Sequence, residues 1–225
     1  MFTGLIETTG AVLAVEHREG SMRIAIAASL IHSLHTGDSV AVSGVCLTAV
    51  DIESDATPPR FHADLAAETV ARTSLSLLTP GATVNLELPT PLGAPLGGHV
   101  VQGHVDATGT LLSLQPVDAR AEPGIADWWL RVAVPAQISR YMVEKGSIAI
   151  EGISLTIARW EPGTLEGDIV SVAIIPHTYA RTNLHSLKVG QAVNLEADVL
   201  IKFMEKRSGE TAFDLSVEYL IANGY

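Results

Sequence analysis

The chain has 225 residues, 47% of them hydrophobic and 17% charged, enough for two cores of about 100 residues each and unlike a disordered tail. A formal net charge of -11, with no cluster among the 14 Lys and Arg, argues against nucleic acid as a partner. One cysteine excludes an intramolecular disulfide framework, no apolar run reaches the roughly 18 residues of a membrane span, and the first residues lack the basic and apolar regions of a signal peptide, so a cytoplasmic protein with no membrane contact is expected.

In chain order, the opening MFTGLIETTG (1–10) leads into short segments whose apolar residues alternate with period two, at 39–43 and again at 83–88, punctuated by Gly10, Gly20, Gly37, Gly44 and Gly81. Between them stand GDSVAVSGVCLT (37–48) and ETVARTSL (68–75). A stretch dense in proline and glycine, 89–98, breaks both helix and ladder and reads as a link. The series then restarts. VVQGHVDATG (100–109), GSIAIEGISLT (146–156), HTYARTNL (177–184) and GQAVNLE (190–196) match the four earlier blocks in order, and matched glycines lie 99 (4 to 103), 108 (44 to 152) and 109 (81 to 190) residues apart. Repeats of this length are whole domains. The expected fold is all-β, two tandem antiparallel barrels, with domains at 1–97 and 98–197. Residues 198–207 and 212–222 carry apolar residues at helical spacing and have no counterpart after the first copy. Segment 198–225 is therefore a helical appendix that either caps its own barrel or packs on other subunits.

Cys46 and Thr48 share one face of a strand, as do Ser154 and Thr156 in the second copy. A buried core thiol explains Cys46 alone, whereas the repeated polar pair suggests the lining of a pocket, with Ser39 and Ser147 also matched between copies. His99 and His104 have no third ligand near them and make a poor metal pair, so no metal is expected. They stand as structural histidines or as groups for proton transfer. His32 and His35 read as solvated surface. Arg72-Thr73 and Arg181-Thr182 read as capped helical turns. Asp64 and Ala66 face Ala173 and Ile175 at the matched positions, so the two copies are chemically unlike.

Taken together, MFTG, SGVCLT, GGH-x3-GH, EGISLT and IPHT, in this order and duplicated, resemble the riboflavin synthase alpha-chain family over essentially the whole chain. That resemblance implies two six-stranded Greek-key barrels and a C-terminal helix that helps assemble a homotrimer. It also implies a transferase that needs no cofactor: two molecules of 6,7-dimethyl-8-ribityllumazine exchange a four-carbon unit to give riboflavin and 5-amino-6-(ribitylamino)uracil, between the first barrel of one subunit and the second barrel of its neighbour. Carried over by motif, Phe2, Thr3, Gly4, Ser39, Cys46, Thr48, Asp64 and Ala66 would bind substrate at the first barrel, and Ser147, Ser154, Thr156 and Ile175 at the second. His104 would stand beside the interface, with His104, Cys46 and Ser154 as catalytic candidates. Lumazine synthase is a candidate associate. The competing reading is a non-catalytic lumazine- or flavin-binding antenna protein that keeps the barrels. The presence of Thr3, Cys46, His99 and His104 weighs against it.

Overall fold

The computed structural model describes residues 1–120, 125–164 and 167–210. The second helical segment foreseen at 212–222 lies outside them. In the first copy β1 (Thr8–Arg18), β2 (Ser21–Ala27), β3 (Ser39–Val42), β4 (Val45–Thr48), β5 (Val50–Glu53), β6 (Arg60–Leu65) and β7 (Thr83–Glu87) form one sheet in the order β4-β3-β7-β1-β2-β6-β5. In the second, β8 (Ala107–Pro116), β9 (Trp128–Val134), β10 (Ser147–Ile150), β11 (Ile153–Thr164), β12 (Gly167–Ile174) and β13 (Ala192–Ala197) close into a barrel in the order β10-β11-β12-β9-β8-β13.

The two orders describe the same circle. What is one long strand in the second copy, β11, is broken at Ala49 in the first, so its halves β4 and β5 end the sheet on either side and the barrel is nearly, not fully, closed. Alternation puts one row of each strand inside. Ile24, Ile26, Val40, Val42, Phe61, Leu65 and Leu86 fill the first barrel, and Leu130, Val132, Ile148, Ile150, Val172 and Leu195 the second. Short helices α1 (Ala67–Arg72) and α3 (Pro176–Arg181) follow matched strands. Thr73 and Thr182 close them by donating a hydroxyl to the carbonyls of Thr69 and Thr178.

A third, smaller core lies between the barrels, and it is built from matched residues: Phe2 with Val101, and Ala41 with Ala149. Phe2 and Val101 exchange backbone hydrogen bonds of 2.8 and 3.1 Å. Each copy therefore sends its opening segment across the seam. Gly4 C=O accepts from Ser154 N–H and Gly103 C=O accepts from Cys46 N–H, both at 2.8 Å. At the centre Gly44 and Gly152 meet backbone to backbone, where a Cβ on Gly44 would stand 2.6 Å from the amide nitrogen of Gly152. Both have positive φ, 80° and 79°, so glycine is required twice over.

Around that contact sits a buried polar cluster. Glu151 accepts from the Asn194 amide and the Asn183 side chain, both at 2.8 Å, while the side chains of Asn85 and Asn194 donate across the seam to the carbonyls of Glu151 and Ser43, both at 2.9 Å. A turn at Ala136–Ser139 (α2) precedes β10, and α4 (Val199–Glu210) leans on the second barrel through Lys202 to Asp106 at 2.9 Å and Arg140 to Glu205 at 3.3 Å. Leu200, Phe203 and Met204 on that helix stay exposed. No helix among the described residues is long and apolar enough to cross a membrane.

Candidate functional site

Each barrel is split at the same place. In the first, β4 pairs with β3 and the end of β6 pairs with β2, but among the described residues no ladder joins β4 to the end of β6; pairing on that side begins only at Val50 with His62. In the second, the ladder between β11 and β12 begins at Ile157 with Val172, which leaves residues 154–156 and 173–175 apart. Because Cys46 turns its N–H away from β3 to reach Gly103, strand alternation turns the backbone groups of Thr48 the same way, toward β6. Thr156 is placed alike by Ser154. Each split is thus edged by backbone donors and acceptors without a ladder partner among the described residues, which is what a polar heterocycle requires.

The residues expected from sequence fall around these splits. Ser39 faces Thr48 and Ser147 faces Thr156 across their strand pairs. Asp64 and Ala66 stand on the opposite lip of the first split, Ala66 as the residue that starts α1, and Ile175 starts α3 on the lip of the second. Thr48, Asp64, Ala66, Thr156 and Ile175 are exposed, and Ile175 is 58% so, whereas Phe2 is fully buried in the seam.

One end of each split is stopped by the opening segment of the other copy, and a pair of glutamates holds those segments. Glu87 accepts from Thr3 N–H (2.6 Å), the Thr3 hydroxyl (2.8 Å) and Gly4 N–H (3.0 Å). Glu196 accepts from Gln102, Gly103 and His104 N–H at 2.7, 3.0 and 3.0 Å. Burial pushes both carboxyls above the ordinary range, and these donors oppose the shift. Neither was singled out by sequence reasoning. The signal was there, since both close the repeated VNLE string.

His104 and Cys46 line one cavity of about 390 Å3 with Glu68 and Arg72 of α1, the latter two paired at 2.8 Å. His99, left open as structural or proton-transferring, lies 91% buried with Nδ1 2.7 Å from Ser154 Oγ. Its Nε2 is buried and has no hydrogen-bond partner among the described residues. Burial holds this imidazole below its ordinary value of 6.5, partly offset by Asp198, so it is neutral near pH 7 and able to accept a proton. The first split has a thiol beside an exposed histidine, the second a hydroxyl bonded to a buried one. Among the described residues no group of three His, Cys, Asp or Glu is placed to hold a metal ion.

A family model described as Lumazine binding domain matches residues 3–89 and again 102–198, so the class is a tandem duplication of that domain. Curated relatives include the riboflavin synthase of Mycobacterium tuberculosis, 43% identical over 92% of this chain and 97% of its own length, and that of Bacillus subtilis, 34% identical over the whole of both. That of Actinobacillus pleuropneumoniae is 37% identical, again over the whole of both chains. Solved structures of LumP complexed with 6,7-dimethyl-8-(1'-D-ribityl) lumazine and with riboflavin superpose with TM-scores of 0.72 and 0.74 over 88% of this chain and 99% of theirs; at 23% and 22% identity they bear on the fold alone. With both barrels matched and relatives of such identity running its full length, the chain belongs to the riboflavin synthase family.

Proposed function

We infer that this chain is a riboflavin synthase: it seats two molecules of 6,7-dimethyl-8-ribityllumazine, one at each split, and moves four carbons from one to the other, giving riboflavin and 5-amino-6-(ribitylamino)uracil. The observation that carries this reading is the pair of matched strand openings, each beside a side chain able to react, Cys46 in one and Ser154 in the other. Two identical molecules need two related seats. Holding them together contributes on the order of 7 to 11 kcal/mol toward a bimolecular barrier.

The neutral His99 accepts the Ser154 proton or, through it, a proton from the 7-methyl group of one lumazine, leaving a carbanion. The other ring is made electrophilic by addition at C7, with Cys46, a hydroxyl or water as the adding group and His104 moving protons beside it. Thr48 and Thr156 orient the rings through backbone groups, while Ser39, Asp64, Ala66, Ser147 and Ile175 shape the seats and Phe2, Thr3 and Gly4 fix the segment that separates them. Exposure of Ile175 and of Leu200, Phe203 and Met204 supports completion of the site by a neighbouring subunit, a first barrel against a second barrel in a homotrimer.

The test is direct. The purified chain is incubated with the ribityllumazine and no added cofactor, and riboflavin is followed by its absorbance. Riboflavin and the diamino product in equal amounts are expected. Tight binding of the lumazine without turnover would select the antenna reading instead.

A further inference from the structure

Beside the second split, but lined by none of the residues that edge it, the outer face of the second barrel carries a recess of about 520 Å3 between β8, β9, β11 and β12. Its floor is a row of cross-strand neighbours: Ser113 pairs with Arg131, Arg131 with Ser171, and Ser171 with Arg159. With strands about 4.8 Å apart, the two arginine stems rise roughly 10 Å from one another with a serine between them. Gln115 and Trp129, paired in the next row, wall one side. Arg159 lies with Cζ 5.7 Å from the Trp129 ring centroid and makes no ion pair among the described residues. Arg131 has one carboxylate near it, that of Glu161 at 3.4 Å, and both side chains of that pair are more than a third exposed.

The first barrel serves as an internal control. The matched row there runs Ala14, Ala25 and His62, which pairs with Val50; Asp51, the sequence match of Arg159, is the next residue, and Arg23 stands in the place of Trp129. Arg23 is already engaged, by Asp51 and by Asp64 at 3.5 Å. The second copy therefore carries two hydroxyls, two guanidinium groups and an indole around a hollow where the first has ion pairs, on a chain whose net charge is -11.

We propose that this recess is a second binding site, for the phosphate group of a small phosphomonoester or for free phosphate. Two guanidinium forks match a tetrahedral oxyanion through paired N–H donors, and Ser113 and Ser171 supply hydroxyl donors to its remaining oxygens. A planar carboxylate would occupy one fork and leave the other idle. The face of the recess beside Trp129 takes the organic part of an ester.

Calorimetric titration of the full chain with inorganic phosphate, ribitol 5-phosphate and ribitol tests it. Saturable binding of both phosphates and none of ribitol is expected, with the indole N–H resonance of Trp129, rather than those of Trp128 and Trp160, moving during the titration. Tighter binding of the ester identifies the ester as the occupant, and equal binding identifies free phosphate. Arg159→Asp, which installs the first barrel's residue, is expected to weaken binding roughly tenfold to a hundredfold, with Arg131→Gln in the same direction and Asp51→Asn without effect. Absence of saturable phosphate binding, or equal affinity in Arg159→Asp with an unchanged melting temperature, overturns the proposal. Riboflavin formation, followed separately, reports on the splits and not on the recess.

Discussion

Beside the first split Asp64 and Asp51 both reach Arg23, while the matched residues of the second copy are Ala173 on the lip of its split and Arg159 and Trp129 in the neighbouring recess. The backbone opening is the same and the field around it is not. A thiol next to His104 stands at one, a hydroxyl next to the buried His99 at the other. On the proposed reading, two copies of one ligand seated in such surroundings meet different electrostatics, and the protein itself would distinguish the molecule that gives up carbon from the twin that receives it.

The largest expected effect breaks the second site alone. His99→Gln removes the imidazole hydrogen-bonded to Ser154 and is expected to lower kcat by about a hundredfold to ten-thousandfold, while leaving the melting temperature and lumazine binding at the first barrel nearly unchanged. Steady-state kinetics with a binding titration on the same variant separates the two effects. A loss of binding without loss of kcat would make His99 a structural residue and erase the contrast.

Next in size is a change that should not distinguish the barrels at all. Gly44→Ala and Gly152→Ala each drive a methyl into backbone at a position with positive φ, and each is expected to destabilise the fold by about 3 kcal/mol. Denaturant unfolding measures both. Unequal losses would show that the seam is less symmetric than its hydrogen bonds.

The smallest effect concerns Glu151, which has Ser43 as its match. Burial raises its carboxyl above the ordinary value of 4.5, opposed by bonds from Asn194, Asn183, Ser43 and Ser74. The folded state then holds this proton at pH values where the unfolded chain has released it. The stability it contributes is full below about 4.5 and declines as pH rises toward the raised folded value. Glu151→Gln is expected to flatten the fall in denaturation midpoint over that interval, and Ser43→Ala to leave its slope in place.

Much of this arrangement is legible in the sequence. Period-two alternation marked β3, β7, β10 and β13 within a residue or two, because one face of each is apolar and the other is not. The duplication came from strings such as VNLE and LT that recur with their glycines. The break at Ala49 was not legible, nor was the bulge just beyond it, where Asp51 takes a left-handed backbone (φ 44°) that aspartate tolerates without advertising it. Nor was the His99–Ser154 contact, since 55 residues separate its members and folding alone brings them together. Glu151 sat in plain view inside EGISLT, yet a glutamate there reads as solvated until the opposite barrel covers it. The turn prepared by Arg72-Thr73 was read as a capped helix and is one, its arginine paired with Glu68 on the surface.

Along the central contact four matched pairs have stayed alike, Gly44 with Gly152, Asn85 with Asn194, Glu87 with Glu196 and Gly4 with Gly103, while Ser43 and Glu151 differ. Off that axis they have drifted far enough for an aspartate to become an arginine. A fused pair of genes gives each copy freedom to specialise, but wherever one copy's backbone is the other's wall, an isolated change on either side has nowhere to go. The shared spine thus sets which positions inherit their neighbour's constraint and which are left for invention.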